Sequence, residues 1–351
     1  MIRMLTSAAI AFAVTVIGTR VLIDLLTMQK IGQPIREDGP QGHQTKAGTP
    51  TMGGLTFVFG AACGYVLSDL LFQGVFTRSG LLVMGAICAS ALVGFADDWI
   101  KVSRERNLGL NKRMKLAGLL SVAVGYAILS QQFTSIPTHV GLAGGSTGGL
   151  AVGAVAWIIW AVLVILGSSN AVNLTDGLDG LAAGSGIFSF IAYGIMGFWM
   201  FRQVGSAQDI YSIPHALDLA VVAVAMVGAL AGFLWFNAAP AEIFMGDTGS
   251  LAIGTGLACL ALATNTDLLL PIIGGVYVVE TLSVMLQVGF FKLTKGKRLF
   301  RMAPIHHHFE LLGWAETKVI VRFWLIGGAL TAIGLGIFYA SWVNTVELVQ
   351  L

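Results

Sequence analysis

Two amides, two carboxylates, a threonine and two glycines stand within Asn170-Ala-Val-Asn-Leu-Thr-Asp-Gly-Leu-Asp-Gly180. They follow an uncharged apolar run, Val155 to Leu166. A chain that merely turns at a membrane surface needs neither Asn170/Asn173 nor Asp176/Asp179. The spacing sets oxygen and amide groups on neighbouring turns, and Gly177 and Gly180 permit close backbone approach to a ligand. Hard cations take carboxylate oxygens, so the cluster suits a Mg²⁺-bound phosphate ester or a nucleotide. The alternative is a polar loop in which Thr175 or Asp176 caps a helix starting near Gly180.

Further polar motifs are set among apolar residues. Asp97-Asp98 ends an apolar segment and is followed by Lys101. Two adjacent carboxylates at that depth are costly unless paired or cation-bound. They read either as a base or metal-neighbouring pair facing a phosphate, or as a helix end paired with Lys101. Phe244-Met-Gly-Asp-Thr-Gly-Ser250 puts Asp247 at a helix start, where backbone N–H groups and the helix dipole favour an anion. A phosphate carrying Mg²⁺ would attract Asp247, making it the expected metal ligand; a plain N-cap is the other reading. Asn237, at the end of the preceding span, is a second polar contact or a helix terminator.

His306-His307-His308 lack the Cys or HExxH company of a zinc site, and adjacent histidines cannot all face one ion. Beside Lys295, Lys297, Arg298 and Arg301 they suit a pyrophosphate or carboxylate. Lys46 lies in a Gly/Thr/Pro loop without the GxxxxGK[ST] of a Walker ATPase. Arg20 and Asp24 stand i,i+4 and are expected to pair. Glu280, mid-span, has no evident partner, the one feature favouring an ion pathway.

These motifs must be positioned by membrane-spanning helices. The 351 residues are 56% hydrophobic and only 11% charged, where soluble domains carry roughly a quarter. The expected class is all-α, a polytopic membrane protein with about ten spans near 5–27, 53–73, 80–98, 115–132, 150–168, 180–201, 217–238, 248–265, 268–291 and 320–344. The Gly-rich 248–265 span is expected to be tilted or partly broken. No loop is large enough for a separate domain, so residues 1–351 read as one transmembrane unit. No cleavable signal peptide is expected. Cys63, Cys88 and Cys259 lie in apolar segments without CxxC spacing, which predicts neither disulfide nor metal. A net charge of +2 does not call for nucleic acid.

Loops after spans 1, 3 and 9 hold 15 of the 20 Lys and Arg residues. The positive-inside rule puts those loops in the cytoplasm and both termini outside. Every polar motif above falls on that basic side; Gly141–Gly149 on the other side is a Gly/Ser-rich connector. Chemistry gathered on one face fits a surface enzyme better than a pore.

The motifs Lys46–Gly54, Asp97-Asp98, Asn170–Gly180, Phe244–Ser250 and Pro304–Glu310 together resemble the bacterial phospho-N-acetylmuramoyl-pentapeptide-transferases, a branch of the polyprenyl-phosphate N-acetylhexosamine-1-phosphate transferases. The resemblance covers essentially the whole chain. It implies a Mg²⁺-dependent transfer of phospho-MurNAc-pentapeptide from UDP to undecaprenyl phosphate, giving lipid I and UMP, the first membrane step of peptidoglycan synthesis. Asp247 would hold the Mg²⁺. Asp97 would be the base, with Asp98 close by. Lys46, Thr51, Asn173, Asp176, Asp179, Asn237 and Phe244 would line the nucleotide pocket, with Gln287 and His307 toward the sugar-peptide end. A homodimer, a bacterial inner-membrane location and inhibition by uridine-containing natural products are also implied. A phosphate monoester is already largely dianionic at neutral pH, its second pKa being about 6, so a base has little to do. Orientation by Asp97, or a covalent aspartyl-phosphate, stays open. The rivals are a UDP-GlcNAc-using sister enzyme, against which PIHHHFE argues, and a transporter or flippase.

Overall fold

The computed structural model describes residues 1–29, 48–74, 76–103, 109–142, 149–204, 213 and 216–350, with side chains described as far as 341. Lys46 lies outside the described residues. The helices are α1 (Ile2–Met28), α2 (Gly54–Leu71), α3 (Arg78–Ser103), α4 (Lys112–Phe133), α5 (Ala154–Thr175) and α6 (Leu181–Gln203). They continue with α7 (Ala216–Asn237), α8 (Gly246–Ala263), α9 (Leu270–Ile273), α10 (Gly275–Leu293), α11 (Ile305–Glu310) and α12 (Glu316–Gln350). Two short strands, β1 (His139–Gly141) and β2 (Gly149–Ala151), pair antiparallel.

Among the described residues ten helices are long and apolar enough to cross a membrane. In lipid a helix satisfies its own backbone polar groups, so apolar runs of this length adopt it. This is an all-α, multi-pass membrane protein, as composition predicts. The β-hairpin is an addition to that reading, held where Gly141 exchanges backbone and carboxylate hydrogen bonds with Leu268 and Asp267.

At the centre is α8. Its apolar window is 89% buried, against 22% for α1. It is continuous from Gly246 to Ala263, so the partly broken alternative for this span does not hold. Its Gly, Ala, Ser and Thr residues are what let helices approach closely on several sides. At Gly94 of α3 the backbone of Asp247 and Thr248 takes up the space a Cβ would need. The Ser169–Thr255 hydroxyl pair (2.9 Å) and the Tyr126 hydroxyl, which donates to Cys259 O (2.9 Å), fasten α5 and α4 to the same helix. All three cysteines are free.

The expected span 268–291 is divided. α9 and α10 break at Gly274, and Tyr277 in the first turn of α10 donates to Ala182 O in the first turn of α6 (2.8 Å). Glu280 therefore lies level with the start of α6. It is not isolated: His306 Nδ1 is 3.1 Å from its Oε2, close but not aligned as a hydrogen bond.

Candidate active site

Four helices bring charged and amide groups to one point. α3 contributes Asp97, Asp98 and Lys101 from its last two turns, and α8 contributes Asp247 from its first. α4 contributes Lys115 from its first turn, and α5 contributes Asn173 from its last. Asp97, Asp98 and Asp247 each offer an oxygen, all within 4.8 Å of one another. Lys101 Nζ lies 2.5 Å from Asp97 Oδ2, 3.5 Å from Asp98 Oδ1 and 2.8 Å from Asp247 Oδ2. Lys115 Nζ approaches the same Asp247 oxygen at 2.7 Å.

The three carboxylates have different places. Asp98 accepts from Asp247 N (3.1 Å), Thr248 N (2.9 Å) and Thr248 Oγ1 (2.7 Å). It thereby caps the N-terminus of α8 from a neighbouring helix, satisfying donors that a helix start leaves orphaned. Asp97 accepts from Leu110 N (2.8 Å) and so ties down the connection into α4. On its other oxygen Asp247 accepts from Asn173 Nδ2 (2.5 Å), which also donates to Ser250 Oγ (2.9 Å). Asp247 is the second residue of α8 and Met245 its N-cap, so the plain-cap reading of Asp247 is overturned. The pairing of Asp97-Asp98 with Lys101 is present, but as part of a larger cluster.

The Asn170–Gly180 stretch divides between helix and turn. α5 runs through Thr175, whose hydroxyl donates back to Ala171 O (2.9 Å) and caps nothing. Asp176 is the C-cap of α5 and Gly180, at φ +77°, the N-cap of α6, so capping by Thr175 or Asp176 is also overturned. Burial, reinforced by the negative charges of Asp247, Asp98 and Asp179 and opposed by Lys101, pushes the Asp176 carboxyl up to about 8. Asp179 Oδ2 accepts from Ala241 N (3.0 Å), and Asp179 N donates to Glu316 Oε1 (3.1 Å). Asn170 is exposed and donates to Leu166 O of its own helix (2.7 Å).

The other expected site residues surround this cluster at varying remove. Thr51 is buried beside Gly246. Half-buried Phe244 is held through its backbone, its N–H donating to Pro50 O (2.8 Å) and its carbonyl accepting from Gly53 N (2.9 Å). Asn237 ends α7 and donates to Ile243 O (2.9 Å), shaping the connection into α8. The three histidines of α11 take different polar partners, although the rings of His306 and His307 meet edge to face with centroids 4.1 Å apart. His306 turns to Glu280, His307 Nδ1 lies 2.7 Å from Glu310 Oε2, and His308 Nδ1 accepts from Arg301 N (3.1 Å). Gln287 accepts from Leu299 N (3.0 Å) and Phe300 N (2.8 Å), bracing the loop before α11. A cavity of about 700 Å³ lies there, lined by Gln287, Phe291, Lys292, Arg298, Met302 and Ala303 among others. Gln287 and the histidines stand in that second region, bonded to its own loop and helix.

Lys115 is the residue that sequence reasoning missed as an individual. It stands among the basic residues Lys112 and Arg113, and nothing in its spacing distinguishes it.

The glycosyl transferase family 4 model matches residues 80–265, which holds all three carboxylates. Phospho-N-acetylmuramoyl-pentapeptide-transferase signature 1 matches residues 46–58. Curated relatives include the phospho-N-acetylmuramoyl-pentapeptide-transferase of Streptomyces avermitilis, 48% identical over 97% of this chain and 98% of the relative. The chain is likewise similar to those of Frankia casuarinae (49% identical; 97% of this chain and 98% of the relative) and Pseudarthrobacter chlorophenolicus (47%; 98% and 99%). A carboxylate–lysine cluster built by helices inside the matched region, and near-complete coverage of these relatives, place the chain in the phospho-N-acetylmuramoyl-pentapeptide-transferase family.

Proposed function

We propose that the chain transfers phospho-MurNAc-pentapeptide from its UDP carrier to undecaprenyl phosphate, giving lipid I and UMP. It would do so in the bacterial inner membrane, with the carboxylate cluster on the cytoplasmic face and both termini outside. The observation that carries this reading is the meeting of Asp97, Asp98 and Asp247 with two lysines in a chain of this family. An oxygen of the lipid phosphate bonds to the sugar-bearing phosphorus. The bond from that phosphorus to the bridging oxygen breaks, and UMP leaves with the electron pair.

Three carboxylates with oxygens this close are a hard donor set that fits Mg²⁺. Asp247 would hold the ion, with Asp97 beside it; bound there, it supplies Lewis-acid polarisation and neutralises charge on the departing UMP. Asp98, with hydrogen bonds to both oxygens, holds the start of α8 in register and so positions Asp247. Asn173 and Ser250 fix the Asp247 rotamer. Lys101 and Lys115 bring positive charge to an anionic donor and an anionic lipid. The lipid phosphate is largely dianionic near neutrality (second pKa about 6), so Asp97 orients it and sets Lys101 instead of taking a proton. Asp176, Asp179, Thr51 and Phe244, with Lys46, border the nucleotide. Gln287 and the α11 histidines lie toward the sugar and peptide. The resemblance also supports a homodimer.

The test is UMP release by the purified chain with Mg²⁺ and undecaprenyl phosphate. Release from UDP-MurNAc-pentapeptide is expected. Release from UDP-GlcNAc instead would move the chain to the sister activity, and release from neither would refute the reading.

A further inference from the structure

Glu280 and His306 are both fully buried, and neither belongs to the carboxylate cluster. A buried carboxylate within a membrane protein is expensive and persists where a specific partner stabilises it. Here the neighbour comes from a different element: α11 folds back so that His306 Nδ1 stands 3.1 Å from Glu280 Oε2, and neither side chain has another hydrogen-bond partner among the described residues. One turn earlier on α10, Tyr277 is bonded to the start of α6. The far edge of the His306 ring lies against Gly177, where a Cβ would overlap Nε2 and Cε1. Gly177 follows Asp176, and its N–H donates to Thr175 O (2.8 Å) in the turn that presents that carboxylate. Asp176 N donates to Val172 O (3.1 Å), and among the described residues its carboxylate makes no hydrogen bond, so the turn beneath it sets its direction.

We infer that Glu280 and His306 are a positioning pair: the carboxylate seats the imidazole under Gly177, and the imidazole fixes the turn that aims Asp176 at the nucleotide. The inference rests on the proposed function for the identity of that nucleotide. It gives Glu280 a role, and it makes His306 a support behind the site and not a ligand of the substrate.

Steady-state kinetics of the full chain in lipid nanodiscs, varying each substrate in turn, test it. Residues that orient others around a site typically matter by 10–100-fold. Glu280→Gln should raise the KM for UDP-MurNAc-pentapeptide about tenfold and leave the KM for undecaprenyl phosphate within about twofold. Gly177→Ala should do the same by pushing on the ring. Adding His306→Asn to Gly177→Ala should recover most of that loss, because the smaller side chain keeps an N–H toward Glu280 and vacates the space under residue 177. Parental KM values in both single variants would overturn the inference. So would equal losses of kcat with both KM values unchanged, or a double variant no better than Gly177→Ala. If Glu280→Gln does not assemble, the two Gly177 variants decide the matter alone. An inactive parent would refute the proposed reaction; the inference is then read from UMP affinity by calorimetry, weaker in Gly177→Ala and restored in the double variant, and overturned if the three are equal.

Discussion

The molecule buries a second carboxylate cluster at the opposite end of α3. Arg3 pairs there with Asp69 and with Asp218 Oδ1 (2.5 Å). Asp218 Oδ2 accepts from the Tyr65 hydroxyl (2.9 Å), Thr77 N (3.1 Å) and Thr77 Oγ1 (2.7 Å). Thr77 precedes α3 and Asp98 lies near its end, so the two clusters are about 30 Å apart at 1.5 Å per residue. In both, carboxylates outnumber cations by one among the described residues: Asp69 and Asp218 against Arg3, and Asp97, Asp98 and Asp247 against Lys101 and Lys115. The difference lies in the groups that answer them. At the far end a planar guanidinium fork, a phenol and a backbone N–H hold Asp218 in fixed directions. At the site end two flexible ammonium groups share one oxygen of Asp247, and such point charges can re-pair with an arriving phosphate. The first arrangement is a fastening between α1, α2 and α7; the second can exchange partners.

That contrast can be broken at either end. Asp218→Ala strands Arg3, Tyr65 and the Thr77 donors, and removing one partner of a buried pair costs roughly 3–5 kcal/mol. Thermal unfolding in detergent should show the loss, while turnover per folded molecule stays parental. Lys115→Ala should do the reverse. It removes one of the two cations on Asp247 and should lower kcat about a hundredfold, measured as UMP release, with little change in melting temperature.

A smaller effect sharpens the electrostatics of the site end. The Asp176 carboxyl is pushed up to about 8 by burial and by its acidic neighbours, against an ordinary value of 3.8. Between those values the folded ligand-free chain keeps a proton that the unfolded chain gives up. The contribution of Asp176 to stability is therefore present at low pH and falls as pH rises toward 8. Asp176→Asn should remove that slope, so that the variant gains in melting temperature relative to the parent between pH 5 and pH 8.

Much of this was legible from the chain alone. Spans follow from long uncharged runs, and the three aspartate motifs lie where such runs end, so their meeting on one side follows from counting spans. Arg20 and Asp24 pair as an i,i+4 spacing predicts (3.4 Å). Contacts between distant segments were less accessible. Lys115 reaches Asp247 only because α3, α4 and α8 pack together. Asp98 caps a helix that begins 148 positions later, a role no local spacing encodes. The break at Gly274 and the return of α11 to Glu280 are matters of tertiary packing, with α10 against α5 and Tyr277 reaching α6, so Glu280 read as a lone mid-span charge. The fastening around Asp218 joins residues more than 140 positions apart, and nothing in the local spacing of Arg3 points to Asp218.

The most direct test replaces Asp247 and Asp218 one at a time by Asn and measures UMP release from UDP-MurNAc-pentapeptide in the presence of Mg²⁺ and undecaprenyl phosphate. The account predicts that Asp247→Asn loses about a thousandfold in kcat and that Asp218→Asn keeps parental turnover per folded molecule. Parental turnover in Asp247→Asn, or a thousandfold loss in folded Asp218→Asn, would contradict it.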